Sequence, residues 1–165
     1  MSNSPEVWLR GPIAGIPALL QPAAHALVQA REEVDALAPG VPVDALWARR
    51  GAASAGFHLL HLAGALDRLF TYARGEALND AQKNTLRAES AEHPELDGAA
   101  LAKLVSQAID KALAQLESTD PATLSTERRI GRAGLPTTVI GALFHGAEHT
   151  SRHVGQFITT VKLAT

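Results

Sequence analysis

The residues in this sequence best equipped for chemistry are its histidines, and five of the seven fall in two short runs. The sharper run is His145-Gly-Ala-Glu148-His149-Thr-Ser-Arg152-His153-Val-Gly-Gln156. On a helix each step of four residues turns only about 40° and rises about 6 Å. His149 and His153 therefore leave adjacent turns on one side, the spacing by which two imidazoles close on a single cation. Gln156 lies between them in angle, and His145 extends the row by a turn. A bare pair at this spacing is equally compatible with a solvated face, so a metal site needs a third ligand from elsewhere. The second run, Phe57-His58-Leu59-Leu60-His61-Leu62, holds the candidates. In helical projection His58 falls within the apolar arc of Leu62, Ala65, Leu66 and Leu69, where a histidine is commonly a hydrogen-bonded core residue. His61 falls at the edge of that arc, beside Arg68 and Tyr72, where a side chain can face a cleft between helices. His61 is the better candidate, and periodicity alone leaves His58 as the alternative.

These residues must be positioned by helices. The chain of 165 residues is 46% hydrophobic but only 4% aromatic. Alanine and leucine dominate the apolar set over valine and isoleucine, a balance that favours helices over a sandwich or barrel. Four long amphipathic blocks stand out. The first covers residues 17–37 and stops at Ala38-Pro39-Gly40. The second begins after Ser54 as N-cap and runs to Arg74, with Gly75 as its C-terminal cap. The third starts from Asp97, carries the stripe Leu101, Leu104, Val105, Ala108, Ala112 and Leu116, and ends at Thr119-Asp120-Pro121. The fourth is expected from Pro136 to Leu163, proline being well suited to a first helical position. Its stripe is Ile140, Leu143, Ala147, Val154, Ile158 and Val161, and projection puts the histidines roughly opposite. A shorter helix is expected over residues 80–90, stopped by His93-Pro94. Residues 41–51 read as a loop packed on the body through Trp47, and residues 121–135 as an irregular connector. Four long helices that each hide one face make an all-α four-helix bundle, a single domain over residues 1–165.

Several function classes fall away. Cysteine is absent, which removes disulfides, thiolate metal sites and a cysteine nucleophile. Lys+Arg 15 against Asp+Glu 17 gives no basic excess for nucleic acid. No stretch nears the ~20 apolar residues of a membrane span. The opening MSNSPEVWLRGP lacks the basic start and apolar core of a signal peptide, so the expected location is cytoplasmic. Glu148 and Arg152 read foremost as a solvated i, i+4 ion pair. Gly155 is a candidate for close helix packing. His25 and His93 read as ordinary surface or loop residues with no partner in view.

His61-Leu-Ala with the downstream Asp67-Arg68, and Glu148-His149-Thr-Ser-Arg-His153-Val-Gly-Gln156, resemble the DinB/YfiT-like family of metal-binding helical bundles over most of the chain. The resemblance implies a four-helix bundle with long crossover connections, commonly a homodimer, holding a divalent metal through three histidines. By position those are His61, His149 and His153. Val154 stands where many members carry arginine. Three imidazoles without a thiolate suit zinc or nickel. Three protein ligands leave a position open for water or a substrate thiolate, the pattern of a catalytic site. Relatives in the family transfer low-molecular-weight thiols or act as hydrolases. The implied protein is therefore a metal-dependent thiol S-transferase or hydrolase with a small-molecule substrate. The competing expectation is a non-enzymatic stress-response or binding module with a structural or vestigial metal site.

Overall fold

The computed structural model describes residues 4–164; the first three residues of the stretch read for a leader, and residue 165, lie outside the described residues. Four long helices carry the fold: α1 (Gln21–Leu37), α3 (Ala55–Ala73), α5 (Gly98–Ser118) and α6 (Val139–Ala164). Two short ones, α2 (Val43–Trp47) and α4 (Asp80–Ala88), lie between them. Extensive contacts run α3–α6, α3–α5, α1–α6 and α1–α5, so the long helices stand in a square with α1 opposite α3 and α5 opposite α6. The links from α1 to α3 and from α5 to α6 therefore both cross a diagonal. Among the described residues, no helix is long and apolar enough to cross a membrane.

Local chemistry sets the helix ends. Ser54 Oγ accepts the Phe57 amide at 3.2 Å to open α3. Gly75 follows α3 with φ 81°, the left-handed conformation that ends helices. Asn79 and Gln82 form a reciprocal capping box on α4. Asp97 accepts the Ala100 amide at 2.8 Å at the start of α5. Along α5 the buried line is Leu101, Val105, Ile109, Ala112 and Leu116, while Leu104 of the expected stripe is exposed.

Three sequence expectations need correction. Residues 17–20 do not belong to α1: a 3-10 turn, Ala18–Leu20, precedes it, which puts Pro22 in the tolerated first turn. Residues 41–51 hold the short helix α2, whose Trp47 is buried and whose indole donates to the Leu96 carbonyl at 3.1 Å. The connector before α6 contains an antiparallel hairpin, β1 (Glu127–Ile130) with β2 (Leu135–Thr138). Pro136 pairs with Arg129 in that hairpin, and α6 begins at Val139. The extended conformation of β2 overrides proline's fitness for a first helical turn. The first amides of α6 are instead satisfied by the connector, Val139 donating to the Thr126 carbonyl and Ile140 to that of Leu124, each at 3.0 Å.

The buried surface of α6 is wider than one stripe, because the helix packs on both α1 and α3. Ala142, Gly146, Thr150 and Phe157 are buried beside Leu143, Ala147, Val154 and Val161, while Ile140 and Ile158 are only partly buried. The buried arc is thereby shifted toward α3. His153 and His149 stand about 80° and 120° from Leu143 in projection, at the edge of this arc rather than opposite it. Gly146 sets the approach of the two helices: a Cβ there would meet the Phe70 ring at 2.9 Å.

Candidate metal centre

The histidine row of α6 meets α3 across this close contact. One ring nitrogen from each of His61, His149 and His153 lies within 4.8 Å of the others, and all three side chains are half-buried. Nitrogen–zinc bonds are about 2.0–2.1 Å, so separations on this scale suit three ligands on one cation. The His61 and His149 Nε2 atoms are 3.0 Å apart, and the rings of His61 and His149 each lie close to that of His153, with centroids 4.6 and 4.5 Å away. Phe57 stacks on His61 at 5.3 Å and restricts the tilt of that ring.

Outer contacts differ from ring to ring. His61 Nδ1 lies 2.9 Å from Glu89 Oε2, and Arg68 Nη1 donates to Glu89 Oε1. Glu89 and Arg68 are both buried. Burial raises the Glu89 carboxyl, but hydrogen bonds from His61 and Arg68 outweigh it and hold the group below its ordinary value. His153 Nδ1 lies 3.0 Å from His58 Nδ1. His149 Nδ1 is buried and has no hydrogen-bond partner among the described residues. Burial, followed by the neighbouring His61, lowers both His58 and His149. The same causes, with His149 added, lower His153 to about 4. At neutral pH His149 and His153 are thus uncharged and keep a lone pair to offer. Three imidazoles with no thiolate among them form a donor set that suits a divalent cation of the zinc or nickel type.

The remaining candidates are placed clearly. His58 is buried as the apolar arc required, and it backs His153 rather than joining the three-nitrogen group. His145 stays outside that group, about half exposed, with Nδ1 3.4 Å from Glu148 Oε2. Glu148 and Arg152 form the expected surface ion pair. Gln156 and Gly155 are exposed; a Cβ on Gly155 would meet nothing, so close packing there is overturned. Both border an open cavity of about 720 Å³ together with His58 and Arg152. Tyr72 is half-buried and lines a separate cavity with Arg128 and Arg129. His93 and His25 have partners after all: His93 bridges Glu95 and the Ala88 carbonyl, and His25 bonds the Gly11 carbonyl at 2.9 Å.

Glu89 is the functional residue that sequence reasoning missed. It follows a short helix that buries none of its residues, 28 positions from His61, where no periodicity marks it. The one available signal was Gly64, on the same side of α3 as His61 and Arg68. A search of curated proteins returns no match. The family model described as the DinB superfamily matches residues 26–157. The bundle, its two diagonal crossovers and its histidine cluster are thus those of a chain that belongs to the DinB superfamily.

Proposed function

We propose that His61, His149 and His153 hold one divalent cation, zinc or nickel, and that the protein is a metal-dependent enzyme, a thiol S-transferase or hydrolase acting on a small molecule. The observation that carries this reading is the gathering of three ring nitrogens from α3 and α6 within 4.8 Å. Such a cation, when bound, acts as a Lewis acid that eases ionisation of a thiol or water placed on it. The chain supplies three nitrogen donors and no carboxylate within the group, so the cation would retain its full positive charge. It also supplies a wall of limited exposure: His58 and Phe57 flank the rings on the α3 side. The exposed Arg152 stands one residue before His153, where an anionic substrate group could be met.

The test is to strip the protein with a chelator, reload it with zinc or nickel, and assay low-molecular-weight thiols with electrophilic acceptors, then esters and amides. Turnover confined to the reloaded protein, and lost in His149→Ala, is the expected result. Turnover by the stripped protein would contradict the reading. A reloaded protein that melts higher but turns over nothing would instead favour a binding module.

A further inference from the structure

Behind His61 lies a buried charged pair that a three-histidine site does not require. Arg68 Nη1 donates to Glu89 Oε1, and Arg68 Nη2 reaches Glu89 Oε2 at 3.3 Å. Oε2 also faces His61 Nδ1 at 2.9 Å. A carboxylate paired with arginine can only accept, so the His61 proton facing it must sit on Nδ1. The other ring nitrogen, Nε2, is the atom turned to His149. Room for this arrangement exists because residue 64 has no side chain. A Cβ at Gly64 would collide with Glu89 Oε1 and stand 2.8 Å from Arg68 Nη1.

We infer that Glu89 is a positioning residue for the metal centre: clamped by Arg68 in the notch at Gly64, it fixes the His61 ring with its proton on Nδ1 and its Nε2 lone pair toward His149. The inference rests on His61 being a ligand. Carboxylates that orient a ligating imidazole in this way typically contribute 10–100-fold to metal affinity.

Glu89→Gln tests the claim sharply, because Arg68 has only donors to offer. Arginine takes the single amide oxygen, which leaves the NH2 against His61 Nδ1. His61 must then accept there, and its proton moves to Nε2, the nitrogen needed for the cation. Long-range 1H–15N spectra of the metal-free protein at mildly alkaline pH read the tautomer directly, and competition with a chromogenic chelator reads zinc affinity. The expected result is Nδ1–H in the wild type, Nε2–H in Glu89→Gln, and affinity lower by about 10–100-fold in the variant. Gly64→Ala, which displaces the carboxylate without removing it, should weaken zinc binding in the same direction and carries the test if Glu89→Gln does not fold. An unchanged tautomer in Glu89→Gln overturns the inference, whether or not affinity falls, since charge alone would then be at work. Affinities within about twofold of wild type in both variants overturn it too. Wild-type protein that binds no zinc overturns instead the reading of His61 as a ligand, while the tautomer comparison still decides whether Glu89 sets the ring.

Discussion

The two walls of the histidine cluster are built on different physics. On α3, His61 is backed by a buried carboxylate that is itself paired with a buried arginine. On α6, His153 is backed by another imidazole, and His149 Nδ1 by nothing among the described residues. The α3 wall is charged and held from behind; the α6 wall is neutral and held by packing and helical spacing. Two ligand candidates on one helix are preset by the i, i+4 geometry, whereas His61 is the one member of the group that α3 supplies, and His58 on the same helix turns to His153 instead. His61 needs an external anchor to aim its ring.

The largest consequence of this difference concerns stability without metal. Glu89→Ala leaves the Arg68 guanidinium buried and unpaired, so unfolding should become easier by about 3–5 kcal/mol. Thermal melting of the metal-free variant should show a loss on the order of 10 °C. A melting temperature equal to wild type would mean that Arg68 escapes to solvent and the α3 wall is not clamped.

His58→Leu probes the α6 wall. The bond it removes joins two neutral rings, worth about 0.5–1.5 kcal/mol. The expected loss of zinc affinity is a few-fold, below that of Glu89→Gln, as read by the same competition titration. A larger loss than at Glu89 would reverse the ranking of the walls.

Acid sharpens the contrast further. In the metal-free protein His153 titrates at about 4 rather than 6.5, because burial and the neighbouring histidines disfavour its charge. The unfolded chain then binds its proton first. Stability from this residue is complete above pH 6.5 and is lost as pH falls toward 4. His93, outside the cluster, is raised by its bond to the Ala88 carbonyl, with Glu95 adding to the effect. Its contribution has the opposite sign: present below 6.5 and lost as pH rises through its elevated value. An NMR titration should separate the two rings on either side of 6.5, and superimposed curves would refute the burial argument.

The smallest effect belongs to the exposed Glu148–Arg152 pair. Glu148→Ala should leave stability close to that of wild type, checked by denaturant melts.

Much of this could be read before any coordinates, for reasons visible in particular residues. His149 and His153 announce themselves because helical spacing is a property of one short segment. Ser54, Asp97 and Gly75 mark their helix ends by local hydrogen bonding and backbone freedom, and act as expected. His61 was legible as an arc-edge residue, helped by the family resemblance. What could not be read depends on contacts between distant segments. Glu89 has meaning only once α4 has folded back over α3. The hairpin of Glu-Arg-Arg-Ile and Leu-Pro-Thr-Thr carries no apolar alternation to signal strands, and Pro136 imitates a helix start. The stripe drawn on α6 misplaced its histidines because it passed over Gly146, which packs against Phe70 of α3, and Thr150, which is buried as well.

The central claim, three imidazoles from two helices sharing one cation, is tested most directly by calorimetric titration of chelator-stripped protein with zinc. Wild type should bind one ion per chain, and His61→Ala, His149→Ala and His153→Ala should each lose that binding while His25→Ala keeps it. Stoichiometric binding that survives in all three site variants, or wild-type protein that takes up no ion, would contradict the account.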